Sequence, residues 1–272
     1  MTDLPGRASS VPARLGVSAR FEEGALELDL VPQPETLHHG VVRASVLSFA
    51  IDAVSGVSVD GAADVWTFTT DMSVRMRPLL PAPASVTARN TVLRRGRRSV
   101  SCLVAVTTDQ GEPVASGAVG FAHVPRKEGD PLKPSFIPED APRFLQGGGT
   151  LTRPVRDEAG IEVIDAAAGV VEMAVTPDVC NPAGTVQGAM VALLAEAAAE
   201  ELLGARFGAP AVVVDLDLRY LAQAHVGPVR TRTTLLGEGA GDPVQVELID
   251  QSADRLTTLV YVRAVPAPAS GR

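Results

Sequence analysis

Residues 181–203 read NPAGTVQGAMVALLAEAAAEELL, and the alanine- and leucine-rich run that begins at Gly188 decides how the rest of the chain is read. A helix this apolar on every side cannot be solvated and must be wrapped by other elements. A second run of the same kind, VVRASVLSFAIDAV (residues 41–54), follows His39-Gly40. Each run precedes an alternating segment with an aspartate near its start, TTDMSVRMRP around Asp71 and VVDLDLRYLA around Asp215. The separation is 148 positions from Gly40 to Gly188 and 144 from Asp71 to Asp215, so the chain repeats with a nearly constant offset.

Outward from these runs, each half ends in period-two segments. The first half has SVTARNTVL, SVSCLVAVTTD and PVASGAVGFAHV; the second has PVRTRTTLL, PVQVELID and LTTLVYVRAV. Alternation at period two reads as half-buried antiparallel strands, and DQGEP (109–113) between two of them is a hairpin turn. Strand-like sequence also precedes each helix, VSARFEEGALELDLV (17–31) and IEVIDAAAGVVEMAV (161–175). Each half therefore reads strand, strand, helix, then about four strands. The expected fold class is α+β, with an antiparallel sheet wrapped around one long central helix in each half. Between the halves, PRKEGDPLKPSFIPEDAPRFLQGGG (125–149) is dense in proline, glycine and charge and reads as a linker. The expected organisation is a first domain over 1–126, a linker over 127–150 and a second domain over 151–272.

Composition narrows the class. The 272 residues are 46% hydrophobic and 21% charged, enough apolar sequence for a sizeable core and too little charge for a disordered chain. A net charge of −8 argues against adhesion to nucleic acid or an anionic membrane. No apolar stretch is long enough for a transmembrane helix, and Met1 to Gly16 lacks a signal-peptide pattern. Cys102 and Cys180 make neither a disulfide framework nor a metal cluster. A cytoplasmic protein is expected.

Asn181 to Glu196 resembles the active-site segment of hotdog-fold acyl-CoA thioesterases, in the branch containing phenylacetyl-CoA and 4-hydroxybenzoyl-CoA thioesterases. The shared pattern is an amide, seven residues to a glycine at the helix start, then eight to a carboxylate: Asn181, Gly188 and Glu196. The segment GAPAVVVDLDLRYLAQA (208–224) resembles the family's next strand. Many members have His-Gly-Gly at the helix start, where this chain has His39-Gly40-Val41 and Gln187-Gly188-Ala189. The resemblance implies a tandem hotdog fold and hydrolysis of an acyl-CoA thioester. It also implies no metal or redox cofactor, with coenzyme A entering as part of the substrate, and association into a homodimer or homotrimer. The residue types suit that chemistry. A backbone N–H at a helix N-terminus can stabilise the negative charge that develops on a thioester oxygen. Glycine leaves room for close approach. A carboxylate can activate water or attack directly.

The same spacing applied to the first half gives Gln33 and Gly40, but Ser48 at the carboxylate position; the nearest acid is Asp52, one turn on. In the family two hotdog units pair, with glycine and amide from one and the carboxylate from the other. That implies one complete site per chain, Gln33, Gly40 and Glu196, and a degraded one at Asn181, Gly188 and Ser48, unless Asp52 supplies the missing acid. Asn181, Gly188 and Glu196 acting together is an alternative. Apart from any resemblance, Glu196 stands among small apolar residues, where a carboxylate is paired, shifted in pKa or functional; otherwise Glu196 and Glu200 mark an exposed stripe. The family's serine or threonine on the next strand matches Thr69 in the first half, whereas the second has Val213.

Arg94, Arg95, Arg97 and Arg98 form a basic hairpin, either a coenzyme A phosphate site as in related thioesterases or a solvated turn. His39 is either a loop-shaping residue, as the resemblance implies, or a plain helix-entry residue. Asp71 and Asp215 mark the repeat, and Cys102 reads as a core residue. Two other functions stay open. One is a hotdog module that binds acyl-CoA without turnover. The other is an enoyl-CoA hydratase, for which Asp178 to Pro182 is a partial likeness lacking the histidine.

Overall fold

The computed structural model describes residues 10–60, 65–77, 82–129, 133, 137–146 and 149–268. Residues 1–9 of the N-terminal segment, and residues 130–132, 134–136 and 147–148 of the linker, lie outside the described residues.

The first half runs β1 (Val17–Glu22), β2 (Ala25–Leu30), a two-residue hairpin of β3 (Leu37–His38) and β4 (Val41–Val42), α1 (Ala44–Val59), β5 (Val65–Met76), β6 (Val86–Arg95), β7 (Ser99–Thr108) and β8 (Pro113–Pro125). Two one-turn helices follow, α2 (Ala141–Phe144) and α3 (Val155–Glu158). The second half runs β9 (Ile161–Asp165), β10 (Val170–Met173), α4 (Gly188–Phe207), β11 (Ala211–Tyr220), β12 (Val229–Leu235), β13 (Val244–Asp250) and β14 (Arg255–Pro266). This is the element order expected from the periodicity, twice over, and the DQGEP turn closes the β7–β8 hairpin.

All twelve longer strands join one antiparallel sheet in the order β1-β2-β6-β7-β8-β5-β11-β14-β13-β12-β10-β9. The order reads as the same six-strand arrangement from either edge toward a centre at β5 and β11. There Ser73 faces Asp217, its own counterpart 144 positions later, with Met72 against Leu218 and Val74 against Leu216 on either side. The two halves thus meet as subunits of a twofold dimer meet, through one patch that contacts its own equivalent. Asp215 of β11 pairs with Arg75 of β5 across this seam.

The two long helices pack on the sheet and on each other. In α1 the residues from Ala44 through Ile51 are all buried, and in α4 those from Ala189 through Glu200. No exposed stripe runs through the middle of α4, because Glu196 and Glu200 are buried with the alanines around them. Gly208 ends α4 in the left-handed conformation, φ +67°, its N–H bonded to the Gly204 carbonyl. Cys102 is a buried residue of β7, and neither cysteine is in a disulfide. The linker region is tied to the first half. Lys133 reaches Asp60 at 2.6 Å and the Val65 carbonyl at 2.8 Å, and Ala19 donates its N–H to the Leu145 carbonyl beside β1. No helix among the described residues is long and apolar enough to cross a membrane.

Candidate active site

The helix starts set the geometry of two pseudo-equivalent places. α1 begins at Ala44 and α4 at Gly188, a separation of 144, the same as from Asp71 to Asp215 and from β1 to β9. Gly40 is not the counterpart of Gly188. It lies in the turn between β3 and β4, φ +78°, four residues ahead of α1. With the offset fixed at 144, the counterpart of Glu196 is Asp52, not Ser48, and that of Gln187 is Arg43. Each carboxylate lies eight residues into its own helix, about 12 Å along the axis from that helix's start. Glu196 therefore does not converge with Gly188 on α4; it meets the start of α1. Asp52, in turn, faces the start of α4.

At the first place Glu196 is consumed by protein. Its carboxylate accepts from the Ala44 N–H at 3.1 Å, the Ser45 N–H at 3.3 Å and the Ser45 hydroxyl, and Arg43 lies 3.8 Å away. It caps α1 from the other half of the molecule, because the side chain at the α1 N-cap, Arg43, makes no cap bond. Arg43 instead donates to both oxygens of Glu200, at 2.8 and 3.0 Å, and lies 3.1 Å from His38 Nδ1. Arg156 closes the cluster at 3.6 Å from Glu200. Glu196 is 1% exposed. Burial pushes its carboxyl above the usual range, opposed by Arg43. Burial, then the Arg43 charge, lowers His38 to about 4, so His38 is neutral at pH 7.

At the second place the groups stay open. Among the described residues Asp52 takes one hydrogen bond, from the Thr69 hydroxyl at 2.6 Å. Its carboxylate is hemmed in by protein, and as whole residues Asp52, Thr69, Gln187, Gly188 and Tyr220 are half-buried. Burial raises Asp52 to about 6, and the Thr69 bond holds it from going higher. A methyl group built on Gly188 would lie 3.0 Å from the Tyr220 hydroxyl oxygen and 3.6 Å from Asp52 Oδ2. Glycine keeps that space empty between the two oxygens. Tyr220 donates to the Gly188 carbonyl at 3.2 Å, and burial raises its phenol well above the ordinary value. The α4 N-terminus is capped by its own Gln187, whose side chain accepts from the Ala189 N–H. Among the described residues no acceptor takes the Gly188 N–H.

The remaining sequence candidates fall elsewhere. Gln33 donates to the Arg14 carbonyl at 2.9 Å and accepts from the Leu151 N–H at 3.0 Å, fastening one half to the other. Neither it nor Gly40 touches Glu196, so the structure does not bring Gln33, Gly40 and Glu196 together. Asn181 closes its own turn, accepting from the Ala183 and Thr185 N–H groups and donating to the Thr185 hydroxyl. His39 is exposed in the β3–β4 turn, φ +50°, edge-on to His38. Arg94, Arg95, Arg97 and Arg98 are exposed at the β6–β7 hairpin. They share a level of the sheet with Thr69, since Thr69 opposes Phe121, Phe121 opposes Val100 and Val100 opposes Arg95. Three strand spacings put Arg95 about 14 Å from Thr69. Arg43, Ser45 and Tyr220 went unnoticed in the sequence. The difference between 148 and 144, one helical turn, was the signal that could have found them.

Several solved structures share this architecture. A tesB protein of Mycobacterium avium subs paratuberculosis superposes with a TM-score of 0.64 at 14% identity, over 95% of this chain and 98% of that one. A protein with hot dog fold from Alicyclobacillus acidocaldarius gives 0.62 at 11% identity, over 96% and 98%. The chain has the hotdog fold. An acyl-ACP thioesterase of Bacteroides thetaiotaomicron gives 0.58 at 12% identity, over 88% and 97%. Each of these superpositions covers most of this chain and nearly all of the other. No family model and no curated protein matches the sequence.

Proposed function

We propose that this double-hotdog chain is a thioester hydrolase acting on an acyl-CoA, with one working site per chain built from Asp52 and Thr69 of the first half and Gly188 and Tyr220 of the second. The single observation that carries this is the Asp52 carboxylate, raised to about 6 by burial, with one oxygen turned toward the space left by a glycine at a helix N-terminus. A base with a pKa near neutral is ionised at pH 7 yet still accepts a proton readily.

In the reaction, Asp52 takes a proton from water and the oxygen adds to the thioester carbonyl carbon. The oxygen of the resulting tetrahedral species draws on the Gly188 N–H and the positive end of α4. Collapse breaks the carbon–sulfur bond; the thiolate takes the proton from Asp52, leaving a carboxylic acid and a free thiol. Thr69 is a positioning residue that fixes one Asp52 oxygen and leaves the other toward Gly188. The chemistry draws on no metal or redox group. Glu196 belongs to the ionic cluster at the opposite place, and Gln33 and Asn181 to the scaffold. The fold, two unpaired cysteines and relatives named as thioesterases support an enzyme of a reducing compartment such as the cytoplasm. Further association into a homodimer or homotrimer of double-hotdog chains belongs to the same proposal.

Free-thiol release from a panel of acyl-CoAs, by wild type and by Asp52→Asn, is the test. Thiol release that the substitution abolishes supports hydrolysis at this site. Thermal stabilisation by acyl-CoA without thiol release would instead favour a binding module.

A further inference from the structure

A cleft of about 440 Å³ lies where β5 of the first half meets two loops of the second. Its lining shares chain segments with the candidate site, on β5 from the sheet face opposite Thr69, since successive strand residues point to opposite sides. Phe68 precedes Thr69, Ala183 lies in the turn leading to Gly188, and His225 follows Tyr220 in the loop after β11. Trp66 and Phe68 form one wall with rings stacked 5.7 Å apart, 19° between planes. Lys127, His225 and Arg255 add polar and cationic groups, and among the described residues none that lines the cleft is acidic. His225 and Arg255 are exposed. In a chain of net charge −8, an aromatic wall beside Lys127 and Arg255 is a local concentration of positive charge.

We propose that this cleft holds the nucleotide end of the substrate's thiol carrier, an adenine against the Trp66–Phe68 wall and phosphate oxygens toward Arg255 and His225. Flat apolar rings suit a purine face, and a guanidinium pairs with phosphate in a fixed fork. This deepens the thioesterase proposal, on which it rests: it selects coenzyme A, which carries an adenine nucleotide, over a carrier protein, which presents only the phosphopantetheine arm. It also places the nucleotide here rather than on the hairpin of Arg94, Arg95, Arg97 and Arg98. That hairpin belongs to one half, has no aromatic partner among the described residues, and lies three strands from Thr69.

Trp66 is the only tryptophan of the chain, so it reports on the cleft directly. Its fluorescence is followed while the full-length protein is titrated with coenzyme A, adenosine 3′,5′-bisphosphate or pantetheine. Coenzyme A and the bisphosphate should each give a saturable change, and pantetheine none. Arg255→Glu should weaken both about tenfold, whereas alanine at all four hairpin arginines should leave the titration in place. The Asp52→Asn protein should still respond, because the readout does not depend on turnover. No saturable change with the bisphosphate, a change indifferent to Arg255→Glu, or one abolished by the hairpin substitutions would each overturn the proposal. None of these results bears on whether Asp52 hydrolyses thioesters, which thiol release decides separately.

Discussion

The two places where the halves cross hold the same kinds of element and opposite chemistry. At each, a carboxylate eight residues into one helix faces the first turn of the other. At the α1 start, Arg43, Ala44 and Ser45 surround Glu196 and leave it 1% exposed. At the α4 start the equivalent residues are Gln187, Gly188 and Ala189. Gln187 caps the helix from its own side, so the facing carboxylate, Asp52, is not needed there and among the described residues is held by Thr69. A helix N-terminus can satisfy its N–H groups with a carboxylate from across the interface or present them to a ligand. Which it does here is set by the cap residue: arginine recruits the acid cluster and closes the space, whereas glutamine with glycine behind it leaves the space open.

That contrast can be broken most severely at Asp52. Asp52→Asn should lower kcat for thioester hydrolysis by about 10²- to 10⁴-fold, the usual contribution of a general base. Burial opposes the charge on Asp52, so the same variant should melt no lower than wild type at pH 7. A melting loss in step with the rate would mark Asp52 as structural instead.

The largest stability effect belongs to the closed place. Arg43→Ala leaves Glu200 and Glu196 buried without their main cation and should cost about 3–5 kcal/mol in a urea titration. A loss below about 1 kcal/mol would show that the cluster is not what fastens the halves.

The pH profile sharpens the open place. A base that must be ionised gives a rate that rises with pH through its pKa, so log kcat should climb through about 6 and level off above 7. At pH 5 the rate should be about a tenth of the plateau. The Thr69 hydrogen bond lowers the Asp52 pKa. Thr69→Val should therefore move the rising limb to higher pH, with its largest rate loss, roughly tenfold or less, on the acid side. A limb that stays put would separate Thr69 from the base.

Much of this architecture was legible in the sequence. The apolar runs at 41–54 and 188–203 had to be core helices, the alternating segments had to be strands, and the repeat paired them. The site was half legible. Asp52, Thr69 and Gly188 were all visible as candidates, but aligning His39-Gly40 with Gln187-Gly188 displaced the first half by one turn and gave Ser48 the place of Asp52. A β3–β4 turn with Gly40 at positive φ looks in sequence like a glycine at a helix start, since both demand the same residue. The closure around Glu196 was not legible at all. It depends on Arg43 reaching Glu200 across 157 positions of sequence, which only the packing of α1 on α4 determines.

Asp52→Asn and Glu196→Gln assayed side by side for thiol release from the same acyl-CoA test the central claim most directly. Hydrolysis should fall below about 1% of wild type in the first and stay within about threefold in the second, whose loss should appear in unfolding instead. An inactive Glu196→Gln beside an active Asp52→Asn would put the reaction at the α1 start and contradict the account.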